Sequence, residues 1–301
     1  MTSAPTVRFF LKSPLRESAA AGKHNFIRLV AEVLENAQYR VEFCDTAQAR
    51  AGQAGHSLTH METPFWPSGL TFRRVYQYPF WQIEQTSERW RWDVARTTFD
   101  PTQIDPQEAA RFFAAWQYRL YGDAPQTVRR DGYIYVPLQG KLLNRRSFQR
   151  CSPMDMLAQT IGHNPTSKVI ASLHPSETYS KAELAALQRM EKAHSQLKLT
   201  TGQMVPLLQG CDYVVTQNSS VAFAGYFFGK PALLFGEIDF HHIAVKADMQ
   251  ALDASFDAVR SAAPDYAAYL WWFWQDQSIN AGRPEAKDRI AARFRRFDWA
   301  V

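Results

Sequence analysis

A chain of 301 residues that is 46% hydrophobic and 21% charged is too apolar for a disordered protein and exceeds one ordinary core, so two globular domains are predicted. It has no run of about 18 apolar residues and opens without a basic region leading into a long apolar stretch, so a cytoplasmic protein without a membrane-spanning helix is expected. The net charge of +5 favours an anionic partner, but the basic residues are scattered outside Arg145–Arg146 and the C-terminal stretch, and no nucleic-acid module signature is present, so nucleic acid is not expected.

Val7 to Leu11 reads as a buried strand, Phe26 to Leu34 as a helix with apolar residues at helical spacing, and Tyr39 to Phe43 as a second strand. Together they predict one βαβ unit of a parallel sheet. The polar loop from Lys12 to Asn25 sits where ligands meet such sheets, although an ordinary surface loop has the same composition. Residues 46 to 100 look irregular and aromatic-rich, with Phe65, Trp66, Trp81 and Trp90 available either for a core or for stacking on sugar rings. Pro106 to Tyr121 is a predicted helix and Gly122 to Arg130 a linker, which puts the expected domain boundary at 125/126.

Beyond it, strands at 133–138, 168–173, 212–216 and 232–235 alternate with helices at 153–161, 181–193 and 220–228. The alternation predicts a second doubly wound parallel domain over 126–262, with the C-terminal helices of 263–301 packing back on domain 1–125. The expected fold class is α/β, two Rossmann-like domains facing a cleft. Cys44, Cys151 and Cys211 are too far apart for a zinc knot or a disulfide framework, and no metal or cofactor is expected.

The segment CDYVVTQNSSVAFAGYFFGKPALLFG, residues 211–236, carries the strongest chemical signal. A strand ends at Gln217, and Asn218, Ser219 and Ser220 stand where a helix begins; helix-start amides capped by hydroxyls attract anions. A simple capping role for both serines is the alternative. Upstream, a strand delivers His174-Pro175 to its carboxyl end, where an imidazole can donate to a phosphate oxygen.

With those motifs in hand, the second half resembles the capsular polysaccharide synthesis family that includes bacterial Kdo transferases of the GT-B type. The likeness runs through YVPLQ (135–139) with SPMDML (152–157), LHPSE (173–177), and DYVVTQNSSVAF with GKPALLFG (212–236). It implies a glycosyltransferase that takes a nucleotide-sugar donor, CMP-linked and with CMP-Kdo as one candidate, and passes the sugar to a glycan or lipid-linked glycan acceptor.

By the same resemblance His174 is a catalytic candidate and Gln139, Pro175, Gln217, Asn218, Ser219 and Ser220 are donor-binding candidates. His241 follows the last strand with Asp239 and His242 and is expected to line the donor site. The resemblance also implies an acidic catalytic residue, for which Glu62 leads and Glu17 and Asp93 are alternatives.

Two positions depart from the family pattern: Ser172 where many relatives carry lysine, and Ala224 where many carry glutamate. They leave open a non-catalytic polysaccharide-assembly or binding protein, or a sugar-nucleotide epimerase. Arg289, Arg293, Arg295 and Arg296 with Ile290 and Phe294 form a basic amphipathic segment, read either as a peripheral membrane contact at the inner membrane or as a helix packed on the first domain.

Overall fold

The computed structural model describes residues 5–50 and 55–301. The chain divides into two compact units, Met1–Thr97 with Trp272–Val301, and Thr98–Trp271.

In the first unit the order is β1 (Thr6–Leu11), α1 (Leu15–Ala20), α2 (Asn25–Asn36), β2 (Arg40–Asp45), β3 (His56–His60), β4 (Leu70–Arg74), β5 (Phe80–Glu84) and α3 (Asp93–Arg96). The second unit follows with α4 (Pro106–Tyr121), β6 (Tyr133–Leu138), α5 (Pro153–Gly162), β7 (Lys168–Leu173), α6 (Lys181–Ala193), β8 (Leu197–Thr201) and α7 (Met204–Gly210). It continues through β9 (Tyr213–Thr216), α8 (Ser220–Tyr226), β10 (Ala232–Leu234), β11 (Val245–Lys246), α9 (Leu252–Ser261) and α10 (Tyr266–Trp271). The chain then re-enters the first unit as β12 (Ile279–Asn280) and α11 (Ala286–Arg296).

The first sheet runs β12-β5-β4-β3-β1-β2. Strands β1 to β4 are parallel, and β5 turns back antiparallel so that Glu84 lies opposite Thr71 near the start of β4. Helix α2 forms because Phe26, Ile27, Val30, Val33 and Leu34 recur on one face and His24 Nδ1 accepts the Ile27 N–H at 3.3 Å as a cap.

The C-terminal segment completes this core. Ile290 and Phe294 of α11 are fully buried, and Trp299 stacks on Phe294 with ring centroids 4.8 Å apart. Burying each of these side chains contributes roughly 1.5–3 kcal/mol. The apolar face of α11 is therefore covered by the sheet, and a membrane contact through that face has nothing to insert.

Arg293 anchors the same helix by donating to the Ile83 carbonyl at 2.7 Å, to Asp93 at 2.6 Å and to Glu84. Burial pushes the Glu84 carboxyl from its ordinary 4.5 up to about 7, against the opposing pull of Arg293. The folded chain thus keeps a proton that the unfolded chain releases near 4.5, so stability should fall as pH rises from about 4.5 to 7. Urea midpoints measured across that window are expected to decline in the natural chain and to flatten in Glu84→Gln; an equal slope in both would exclude Glu84 as the source.

The second sheet runs β11-β10-β9-β6-β7-β8 and is parallel throughout. Strands β6 and β9 are buried along their whole length, as expected for strands covered by helices on both faces. The β6–β9 ladder stops at Tyr135↔Val214, beyond which Pro137 has no N–H to offer and the Thr216 hydroxyl donates to the Pro137 carbonyl at 3.2 Å.

The boundary expected at 125/126 lies instead at Thr97/Thr98. Helix α4 belongs with the second unit because Phe113 stacks on Phe227 at 5.7 Å, Tyr121 meets Phe228 edge-on at 4.9 Å, and Gln117 donates to the Phe227 carbonyl. The return to the first unit begins at Trp272, nine residues after the expected 263.

Candidate functional site

The second sheet reverses its direction of winding between β6 and β9. From β6 the chain proceeds outward to β7 and β8, and from β9 outward in the other direction to β10 and β11. Loops leaving the carboxyl ends of two such strands diverge, which opens the crevice where ligands of doubly wound sheets bind. Gln139 leaves β6 there, Gln217 leaves β9, and His174 leaves β7 on the far side of β6. At about 4.8 Å per strand spacing, His174 and Gln217 emerge roughly 10 Å apart with Gln139 between them.

The His174 loop is stapled to the sheet. Its N–H donates to the Tyr179 hydroxyl at 2.9 Å, and that hydroxyl lies 3.5 Å from the Leu138 carbonyl. Ser176 N–H donates to His174 Nδ1 at 3.2 Å. With Nδ1 occupied as an acceptor, the neutral ring carries its proton on Nε2, on an exposed side chain that can donate outward. Pro175 is also exposed and holds the backbone beside the ring.

After β9 the side chains divide their labour. Gln217 is buried and donates to the Cys151 carbonyl at 3.0 Å; Asn218 is buried and reaches the Glu237 carbonyl at 3.5 Å. Ser219 is buried and its Oγ accepts the Val221 N–H at 3.3 Å, so that amide is already engaged by the cap. Ser220 is the exposed hydroxyl of the pair.

A loop that the sequence reading noted only for its paired arginines closes the same edge. Residues 141–151 cross it, with Gln149 bridging Gly236, Arg150 N–H donating to the Phe235 carbonyl at 2.8 Å, and Glu237 N–H donating to the Phe148 carbonyl at 2.9 Å. Gly236 is wedged so closely that a Cβ would lie 3.0 Å from the Gln217 carbonyl oxygen and 3.3 Å from that of Phe148. Gly140 is similarly confined, 2.6 Å from Glu177 Oε2 at the Cβ position.

Four buried polar atoms on these segments have no hydrogen-bond partner within the protein: Gln139 Oε1, Arg146 Nε, Gln149 Nε2 and Gln217 Oε1. Each such atom costs about 1–3 kcal/mol if nothing meets it. Two are acceptors and two are donors, which suits a polar ligand bearing both kinds of group. Burial also holds the Arg146 guanidinium below its ordinary pKa, with Glu177 opposing. The arginine and Gln149 are the residues that sequence reasoning missed; their loop has no periodicity, and only the Arg-Arg pair hinted at it.

His241 follows β10. Its Nδ1 meets the Ile238 carbonyl at 2.7 Å, its ring stacks on His242 at 4.4 Å, and burial lowers its pKa against the raising effect of that carbonyl. His242 Nδ1 lies 3.0 Å from the Tyr269 hydroxyl. Among the described residues no group of three or more His, Cys, Asp or Glu side chains is placed to hold a metal ion.

The first unit has its own switch point, between β1 and β3. Glu62 and Lys12 form an ion pair there, one from the end of each strand, and the Thr59 hydroxyl fixes the turn by donating to the Glu62 carbonyl at 2.6 Å. Ser13 donates to Glu17 in the adjoining loop. His60 ends β3 and is kept neutral, its pKa lowered to about 4 chiefly by burial, with His24, Arg73 and Arg74 adding to the effect. Asp93 is elsewhere: β5 runs antiparallel, so Asp93 and Glu84 lie toward the amino end of β4, tied up with Arg293 and Arg296.

The chain thus holds two α/β units, each with a switch point and polar groups at the carboxyl edge of its sheet. Among solved structures the chain is similar to the KpsC β-Kdo 2,7 transferase of Thermosulfurimonas dismutans, at 14% identity and a TM-score of 0.52 over 88% of each chain. It is also similar to the KpsC β-Kdo 2,4 transferase of the same organism, at 12% identity and a TM-score of 0.47 over 89% of each chain. No protein-family model and no curated protein matches it. At these identities the likeness is one of fold.

Proposed function

We propose that the chain is a glycosyltransferase of capsule or surface-polysaccharide synthesis. In this reading the carboxyl edge of the second unit binds a nucleotide-sugar, CMP-linked, and the sugar passes to a glycan or glycolipid acceptor. The observation that carries the reading is the cluster of four unpartnered buried polar atoms at the β6–β9 switch point, beside the exposed His174 ring and the Ser220 hydroxyl. The shared fold with a structure described as a Kdo transferase supports the reaction class.

The chemistry follows from where charge develops. As the bond from the anomeric carbon to the phosphate oxygen breaks, negative charge grows on the phosphate. In this reading a proton held on His174 Nε2 and the hydroxyl of Ser220 would meet it, and such donors typically contribute about 10²–10³ in rate. Gln139, Arg146, Gln149 and Gln217 would hold the rest of the nucleotide, and Asn218 and Ser219 support the loop. Glu62, paired with Lys12 at the first unit's own switch point, is the carboxylate this reading offers for catalysis.

A second reading keeps the nucleotide and drops the transfer. Ser172 donates to the Gly202 carbonyl at 3.0 Å and is buried, and Ala224 is buried within α8, so neither position presents a charged group to a ligand. Calorimetry with CMP and with UDP, followed by an assay for donor hydrolysis, separates the readings. Preferential CMP binding with turnover is expected; binding without turnover favours the binding protein, and no binding of either nucleotide removes both.

A further inference from the structure

Asp93 gathers three arginines, Arg96 from its own helix α3 and Arg293 and Arg296 from α11. Arg293 is the anchor. Its Nε serves the Ile83 carbonyl, its terminal nitrogens serve Asp93 and Glu84, its guanidinium lies 4.9 Å over the Phe297 ring, and its side chain is only 15% exposed.

Arg96 and Arg296 differ. Arg96 meets Asp93 through Nη2 at 3.2 Å and Arg296 meets it through Nε, and their side chains are 67% and 60% exposed. Each therefore keeps further N–H donors beyond its contact with Asp93. Both line a cavity of about 580 Å³ together with Gln85, Asp93, Thr97 and Phe297.

Three guanidinium groups share two carboxylates here, Asp93 and Glu84, so the cluster is net positive. Asp93 joins the two exposed guanidinium groups on one side, and the positive charge left over on their open N–H edges favours a second anion in the cavity. Guanidinium forks match tetrahedral oxyanions in geometry as well as charge. The cavity lies near the amino end of β4, the end of the sheet away from the Lys12–Glu62 pair, so it is no part of the site described above.

We infer that this cavity binds a doubly charged tetrahedral oxyanion of the phosphate class, clasped by Arg96 and Arg296 with Gln85 as an additional donor. Its volume exceeds that of the bare ion, leaving room along the Phe297 side for whatever carries the phosphate. Glu84 tunes the site from beneath. The charged groups facing it are Arg293, Asp93 and Arg96, and when Glu84 takes a proton the cluster gains one net positive charge.

Sulfate is the suitable probe because it stays doubly charged where a phosphate monoester titrates, near pH 6. Sulfate binding is measured by calorimetry on the full chain with CMP present at saturating concentration, so that the donor edge does not contribute. The natural chain is expected to bind, Arg96→Gln and Arg296→Gln each to bind about tenfold more weakly, and the double variant not at all. Binding should tighten as pH falls from about 8 to 6, and Glu84→Gln should remove that pH dependence.

CMP affinity should be unchanged in all of these variants, which separates failure here from failure of the glycosyltransferase reading. If Arg296→Gln does not fold, Arg96→Gln carries the test alone, since its side chain is exposed. Sulfate binding that is absent from the natural chain, or equal in Arg96→Gln, would overturn the inference.

Discussion

His174→Ala should lower kcat for donor turnover by about 10²–10³ while shifting Tm by no more than about 2 °C. The ring is exposed, and its one internal contact is an acceptor for the Ser176 N–H, which water can replace. Little stability is therefore at stake. What is lost is the Nε2 proton, a donor aimed away from the protein by the tautomer that Ser176 selects. His174→Asn is the sharper variant: it can still accept from Ser176 but places no donor where Nε2 was, so it should be as inactive as alanine. Full activity in either variant would remove His174 from the chemistry, and unfolding of His174→Ala would make it a packing residue.

Lys230→Met should cost the second unit about 3–5 kcal/mol. The lysine is 1% exposed, and its Nζ donates to the carbonyls of Arg129 and Cys211, both at 2.6 Å. Methionine fills much of the same space and offers neither bond, leaving both acceptors without their donor. Burial lowers the lysine's pKa, with Cys211 and Asp212 among the groups opposing that shift. Chemical denaturation followed by tryptophan fluorescence checks the effect. A loss below about 1 kcal/mol would mean that the carbonyls find other donors cheaply.

Lys230 also shows what a sequence leaves unsaid. The Gly-Lys-Pro signal marks a helix end and a strand start correctly, yet spacing alone cannot tell a lysine that meets phosphate from one that ties two loops together inside the unit. Strands β1, β6, β7 and β9 were legible because apolar runs bounded by loops have few other uses. Strand β8 was not, since LKLTT at a sheet edge is half polar. Strands β3 to β5 are five residues each and lie among prolines and aromatic residues, which mimics an irregular region.

The boundary between the units was misplaced for a related reason. An amphipathic helix such as α4 declares that it will pack, but its stripe does not say on which core. At the candidate site, the strand ends carrying Gln139, His174 and Gln217 were readable, and so was the cap at Ser219 and Ser220. Which serine faces outward depends on the angle at which the chain enters α8. Where the candidate acids lie likewise needed topology: β5 runs antiparallel and carries Asp93 toward the opposite end of the sheet from Glu62.

A crystal structure with CMP bound would test the central claim most directly. The nucleotide should lie over the carboxyl ends of β6 and β9, with a phosphate oxygen within hydrogen-bonding distance of His174 Nε2 or Ser220 Oγ and polar groups meeting Gln139, Arg146, Gln149 and Gln217. A nucleotide seated away from that edge, with those four side chains still unmet, would contradict it.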